Sequence, residues 1–140
     1  MSAERYFLDT NVLVYLFDGD APARQTRARE IFQTYGATGQ LVISTQVLQE
    51  FYVTVTRKLA KPLAPEVAYR AVQNLTTLLV CQVTPELVLS AIQRSLGLRL
   101  SFWDALIVQA ALESGAATLW SEDLQHGQII DGLRIENPFR

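Results

Sequence analysis

Short apolar runs alternate along this chain with longer stretches in which apolar residues recur every three or four positions, with turn formers between them. The first run, Tyr6-Phe7-Leu8, ends in Asp9, and a second apolar run, Val12-Leu13-Val14, follows almost at once. This reads as a buried strand feeding a helix, with Asp9 at the strand's carboxyl end. Asp18-Gly19-Asp20-Ala21-Pro22 breaks the pattern, and a helix is expected from Pro22, in its first turn, to about Tyr35-Gly36. Gln40–Ser44 reads as a second buried strand after Gly39. A helix over about Thr45–Lys58 then places Val47, Phe51, Val55 and Leu59 on one face, with Leu48 and Tyr52 beside them.

Pro62 and Pro65 mark the link to a helix over about Pro65–Leu75, and Leu78–Val83 reads as the third strand. Thr84-Pro85-Glu86 is a cap followed by proline, opening a helix to about Leu96 that Gly97 should stop. Ser101-Phe102-Trp103-Asp104 opens a nearly all-apolar helix through Leu112, ended by Gly115. Thr118-Leu119-Trp120 is the fourth strand, Ser121-Glu122-Asp123 reads as its passage into the first turn of another helix, and Leu133-Arg134-Ile135 is a last strand. Strand–helix alternation of this kind predicts an α/β fold of three layers, a central parallel sheet of four to five strands with helices on both faces. At 140 residues the whole chain, 1–140, is expected to be one domain with a continuous core.

Composition narrows the class. Nearly half the residues are apolar and no low-complexity tract interrupts them, which argues against disorder. The apolar runs are too short to span a bilayer, and Met1-Ser2-Ala3-Glu4-Arg5 is not the start of a secretory signal. A single cysteine excludes an internal disulfide framework and fits a reducing compartment, so a cytoplasmic location is expected. Cys81 itself reads as a small core residue, and His126, the one histidine, as an exposed loop position. The net charge of −2 is not that of a general nucleic-acid binder, so binding to a polyanion needs local basic patches or recruited cations. Arg24, Arg27 and Arg29 form one such cluster and Arg57, Lys58 and Lys61 another, although solvated helix surface accounts for them as well.

The acids carry the chemistry. Asp9 and Asp123 end strands, while Glu50 and Asp104 lie in the first two turns of helices. In a right-handed parallel α/β sheet all four fall at one edge, where the strand ends leave a crevice for ligands. Each also has a plain structural reading: Asp9 as a helix cap, Glu50 as a solvated helix former, Asp104 as half of a capping box with Ser101, and Asp123 as a helix-dipole partner. Asp104 goes further, because Ile107, Val108 and Ala111 continue its face and turn it toward the core. Two carboxylates 5 Å apart repel by roughly 3 kcal/mol at an effective dielectric near 20. Four together must either protonate in part or hold divalent cations. Without His or Cys ligands the donor set is all oxygen, which selects Mg²⁺ or Mn²⁺ and suits phosphodiester hydrolysis.

Four segments then resemble, in order, the motifs of the PIN-domain nucleases, and within them the VapC-type toxins of toxin–antitoxin pairs: Phe7-Leu8-Asp9-Thr10-Asn11-Val12, Ser44-Thr45-Gln46-Val47-Leu48-Gln49-Glu50, Ser101-Phe102-Trp103-Asp104-Ala105 and Ser121-Glu122-Asp123-Leu124. The resemblance implies a PIN-like fold with Asp9, Glu50, Asp104 and Asp123 as metal-binding and catalytic acids, and Asn11, Ser44 and Ser121 as polar supports that orient them. It implies Mg²⁺- or Mn²⁺-dependent cleavage of RNA, a homodimer, and an antitoxin protein that occupies the acidic cleft. Two rivals remain: a catalytically silent PIN-like binding module, and an aspartate-nucleophile phosphatase. The phosphatase expects a second acid two residues after the first, where this chain has Asn11.

Overall fold

The computed structural model describes residues 3–140. Six strands form a single sheet: β1 (Tyr6–Leu8), β2 (Leu41–Ser44), β3 (Leu79–Cys81), β4 (Thr118–Trp120), β5 (Ile129–Ile130) and β6 (Leu133–Glu136), in the spatial order β3-β2-β1-β4-β6-β5. All pairings are parallel except that of β5 with β6. The expected four to five strands thus become six. The extra one is the two-residue β5, which pairs with β6 across a turn at Asp131-Gly132, where both residues have positive φ. Two residues carry too little pattern to be read as a strand.

Every residue of β2 and β4 is buried regardless of which way its side chain points, so helices cover both faces of the sheet. Those helices are α1 (Thr10–Val14), α2 (Pro22–Tyr35), α3 (Thr45–Arg57), α4 (Pro65–Leu75), α5 (Pro85–Leu98) and α6 (Phe102–Glu113). A 3-10 turn, Tyr15–Phe17, extends α1 and packs on α2; α3 packs on α1 and α4, and α5 lies along α6. Phe51, on the apolar face predicted for α3, is fully buried and meets Phe17 edge-on at 5.6 Å. Among the described residues no helix is long and apolar enough to cross a membrane.

Two boundaries differ from expectation. Gly97 does not stop α5; the helix runs one residue further and ends at Arg99, which takes the left-handed conformation at φ 56°. An arginine in that position costs what a glycine would avoid. Arg99→Gly is therefore expected to stabilise the fold by about 0.5–1 kcal/mol despite the looser unfolded chain, read as a higher urea midpoint at unchanged slope. The second difference lies after β4. No helix follows it: residues 121–128 are bends and turns, held by bonds to the rest of the molecule.

The sheet order locates the crevice. From β1 the chain moves outward through β2 to β3, then returns to the other side of β1 as β4. In register, Tyr6 lies opposite both Leu41 and Thr118, so β1 and β4 end together and β2 runs one residue further. The reversal of direction falls between β1 and β4, the place in an open α/β sheet where ligands enter.

Candidate active site

Asp9 follows β1 directly and caps α1, its Oδ1 accepting from the Thr10 N–H at 2.7 Å. The cap predicted as the plain alternative to a functional role is thus present, and uses one oxygen. Oδ2 accepts from the Ser121 hydroxyl, also at 2.7 Å, across the gap between β1 and β4. The Ser121 oxygen accepts in turn from the Asp123 N–H at 3.1 Å. Asn11 completes the link: its amide nitrogen donates to Asp123 Oδ2 at 3.1 Å and its oxygen accepts from the Glu122 N–H. On the β2 side, the Thr10 hydroxyl donates to Glu50 Oε1 at 2.9 Å. Asp104, third residue of α6, has its backbone N–H capped by the Ser101 hydroxyl, and its carboxylate faces the cleft.

All four predicted acids, Asp9, Glu50, Asp104 and Asp123, line one open cleft of about 340 Å³. Asn11 and Ser121 stand where supports would, each bonded to one of these carboxylates. Ser44 stands apart: it is fully buried, and its hydroxyl accepts from the Val47 N–H and caps α3, so its link to Glu50 runs through the helix. His126 is exposed and accepts from the Asn137 N–H, as a loop position should, and Cys81 lies half-buried in β3.

The cleft also contains residues that pattern reading passed over. On α3, Gln46 and Thr54 flank Glu50 at intervals of four and share its face, beside the apolar row Val47-Phe51-Val55. That polar row was visible in the spacing. Tyr15 likewise lies four residues beyond Asn11. Asp18, read only as a helix break, adds a fifth carboxylate and accepts from the Asp20 N–H in a turn. Trp103 borders the cleft with most of its surface exposed.

Charge is the site's salient property. No Lys or Arg is among the cleft's lining residues. Asp9 is 5% exposed, and burial raises its pKa to about 6, aided by the charges of Asp123 and Glu50 and opposed by the bonds from Ser121 and Thr10. Asp104 is also raised, chiefly by burial, with Asp123 adding to it and the Ser101 hydroxyl opposing. These couplings show the acids acting on one another across the cleft. Ser121→Ala strips Asp9 Oδ2 of its donor. It is expected to cost about 1–3 kcal/mol in urea unfolding and to move the Asp9 titration, followed by carboxyl NMR, above about 6.

An all-oxygen donor set with a buried, cation-free aspartate fits a hard divalent ion. Among the described residues, no three His, Cys, Asp or Glu side chains are already gathered into a cage for a metal. Mg²⁺ does not require one, since it retains several waters and takes one or two carboxylates directly.

The PIN domain family model matches residues 6–129 of this chain. No curated protein matches it at a significant level. Several solved structures share the fold. A toxin–antitoxin complex from Klebsiella pneumoniae aligns with a TM-score of 0.71 at 19% identity, over 95% of this chain and 97% of that one. DNA-bound VapBC from Salmonella typhimurium gives 0.68 at 22%, over 96% and 98%. Mycobacterium tuberculosis VapC20, a sarcin–ricin loop cleaving toxin, gives 0.67 at 22%, over 84% and 89%.

Proposed function

This chain belongs to the PIN domain family, and we propose that it is a divalent-metal-dependent ribonuclease, the toxin of a toxin–antitoxin pair. The observation that carries the reading is the cleft itself. Asp9, Glu50, Asp104 and Asp123 meet there with no basic side chain among them, and the most buried of them has no cation partner. Mutual repulsion of that kind calls for a bound cation. The resemblance of the fold to VapC20 and to two toxin–antitoxin complexes supports RNA as substrate and an antitoxin as partner.

Asp9, Glu50, Asp104 and Asp123 would hold the ion, one or two of them directly and the others through its waters. Bound there, Mg²⁺ or Mn²⁺ would supply charge neutralisation at the scissile phosphate and lower the pKa of a water. The protein's own part is orientation. Thr10 N–H and Ser121 Oγ fix both oxygens of Asp9, Asn11 steers Asp123, and Thr10 Oγ1 steers Glu50. Partners that aim donor groups in this way commonly change metal affinity or activity by about 10–100-fold when removed. We place the protein in the cytoplasm, as a homodimer whose cleft the antitoxin covers.

The test is hydrolysis of end-labelled single-stranded RNA with Mg²⁺ or Mn²⁺, with and without chelator, by the wild type and by Asp9→Asn. Cleavage that chelator stops and the substitution abolishes is the expected result. Cleavage indifferent to both would end the proposal, and binding without cleavage under every metal condition would favour a silent binding module.

A further inference from the structure

Glu122 and Asp123 are neighbours with opposite duties. Asp123 lines the cleft, whereas Glu122 does not, and both Glu122 oxygens are bound, one from Tyr15 on the cleft wall and one from Arg24 outside it. The Tyr15 hydroxyl donates to Oε1 and Arg24 Nε to Oε2, each at 2.5 Å. The three groups brace one another. The Arg24 guanidinium sits 5.7 Å from the centre of the Tyr15 ring, and that ring meets Phe139 edge-on at 5.0 Å. Tyr15 leaves the end of α1, Arg24 stands on α2, and Glu122 is in the loop after β4. One carboxylate therefore ties three parts of the chain together.

That loop needs the tie. Residues 121–128 form neither helix nor strand. Asp123 is exposed, its side chain is steadied by the amide of Asn11 alone, and Asp9 and Asp104 repel it. Backbone bonds hold the loop at Ser121 and again at Gly127 and Gln128, and the stretch between them, with like charges on its functional side, is the part that a further tie steadies. We propose that Tyr15 and Arg24, acting through Glu122, fix the β4–β5 loop so that Asp123 faces the cleft. Glu122 is then a positioning residue and not itself a donor in the site. This rests on the reading of the cleft as a metal-dependent ribonuclease centre.

The proposal makes three residues distant in sequence behave as one unit, and two measurements on the full chain test it. The first is the affinity for Mn²⁺ alone, by electron paramagnetic resonance of the free ion. The second is hydrogen exchange at the Asp123 amide in metal-free protein. Glu122→Ala is expected to weaken Mn²⁺ binding about tenfold or more, and Tyr15→Phe and Arg24→Ala several-fold each. All three should speed exchange at Asp123. In the Glu122→Ala background, Tyr15→Phe should add nothing, because its effect passes through the missing carboxylate. Glu122→Gln, which keeps the size and one acceptor oxygen, should recover part of the loss. In RNA cleavage the deficit should fall on kcat more than on KM.

Weak Mn²⁺ binding in Glu122→Ala with wild-type binding in Tyr15→Phe and Arg24→Ala would overturn the proposal, making Glu122 a donor in the cleft. Wild-type Mn²⁺ binding and exchange in every variant would overturn it too. Should Glu122→Ala fail to fold, Tyr15→Phe alone decides, since it removes a single hydroxyl. A wild-type chain that neither binds Mn²⁺ nor cleaves RNA fails differently: it refutes the ribonuclease reading on which the clasp depends.

Discussion

Asp9→Asn is expected to yield a protein that no longer cleaves RNA yet resists unfolding better than the wild type in metal-free buffer at pH 8. The two effects share one cause. The carboxyl is buried, and its pKa rises from 3.8 in the unfolded chain to about 6 in the folded one. A raised carboxyl pKa means that folding favours the protonated form. Its stabilising contribution is complete below the unfolded value and is lost as pH climbs through the folded value. Above that window the fold carries the cost of a buried charge, at 1.36 kcal/mol per unit about 3 kcal/mol as an upper bound. Asparagine keeps the shape without the charge. Urea unfolding should place the variant about 1–3 kcal/mol above the wild type at pH 8 and near it below pH 4. Saturating Mg²⁺ or Mn²⁺ should then raise the wild type and leave the variant almost unmoved, by mass action on the folded state. Cleavage should fall by about a thousandfold or more, beyond the loss typical of a group that merely orients a donor. Equal stability of the two proteins at pH 8 would contradict this account of Asp9.

Asp104→Asn carries the second large effect, because it separates two roles that coincide in sequence. The capping bond at the start of α6 runs from the Asp104 backbone N–H to the Ser101 hydroxyl, and survives any change of the Asp104 side chain. Its carboxylate lines the cleft and is not needed for that cap. Asp104→Asn should lower kcat about 100-fold or more, with Mn²⁺ affinity falling in parallel and thermal stability in metal-free buffer unchanged or slightly raised. Ser101→Ala should do the reverse, costing about 1 kcal/mol of stability while metal affinity stays close to wild type. A thermal loss in Asp104→Asn as large as that in Ser101→Ala would return the aspartate to a capping role.

What could be read from the chain follows from where the physics is local. The strand ending at Asp9 and the apolar row Val47-Phe51-Val55 are written in period and composition, and both stand as expected. Meeting of the four acids in one cleft followed from parallel topology, which sends every strand's carboxyl end to the same edge. The failures lie where non-local contacts decide. Ser121-Glu122-Asp123 has the composition of a helix start, but its hydrogen bonds go to Asp9, Asn11, Tyr15 and Arg24, none of them near in sequence. Gly97 looked like a terminator, and helical packing of α5 on α6 carried the chain past it. The row Gln46-Glu50-Thr54 was legible in spacing alone, and was obscured by the stronger apolar row beside it.

The two tryptophans occupy opposite optical environments. Trp120 is almost wholly enclosed, stacked on Tyr6 at 4.5 Å with the planes 4° apart, and its indole nitrogen donates to Glu136. Trp103 stands at the mouth of the cleft, 62% exposed. Intrinsic emission from this chain is thus the sum of a blue component and a red one. Iodide should quench the red component in the free protein, and an oligonucleotide seated in the cleft should shield it. The blue component should respond only when the sheet itself comes apart, so a single spectrum distinguishes occupancy from unfolding without any attached dye.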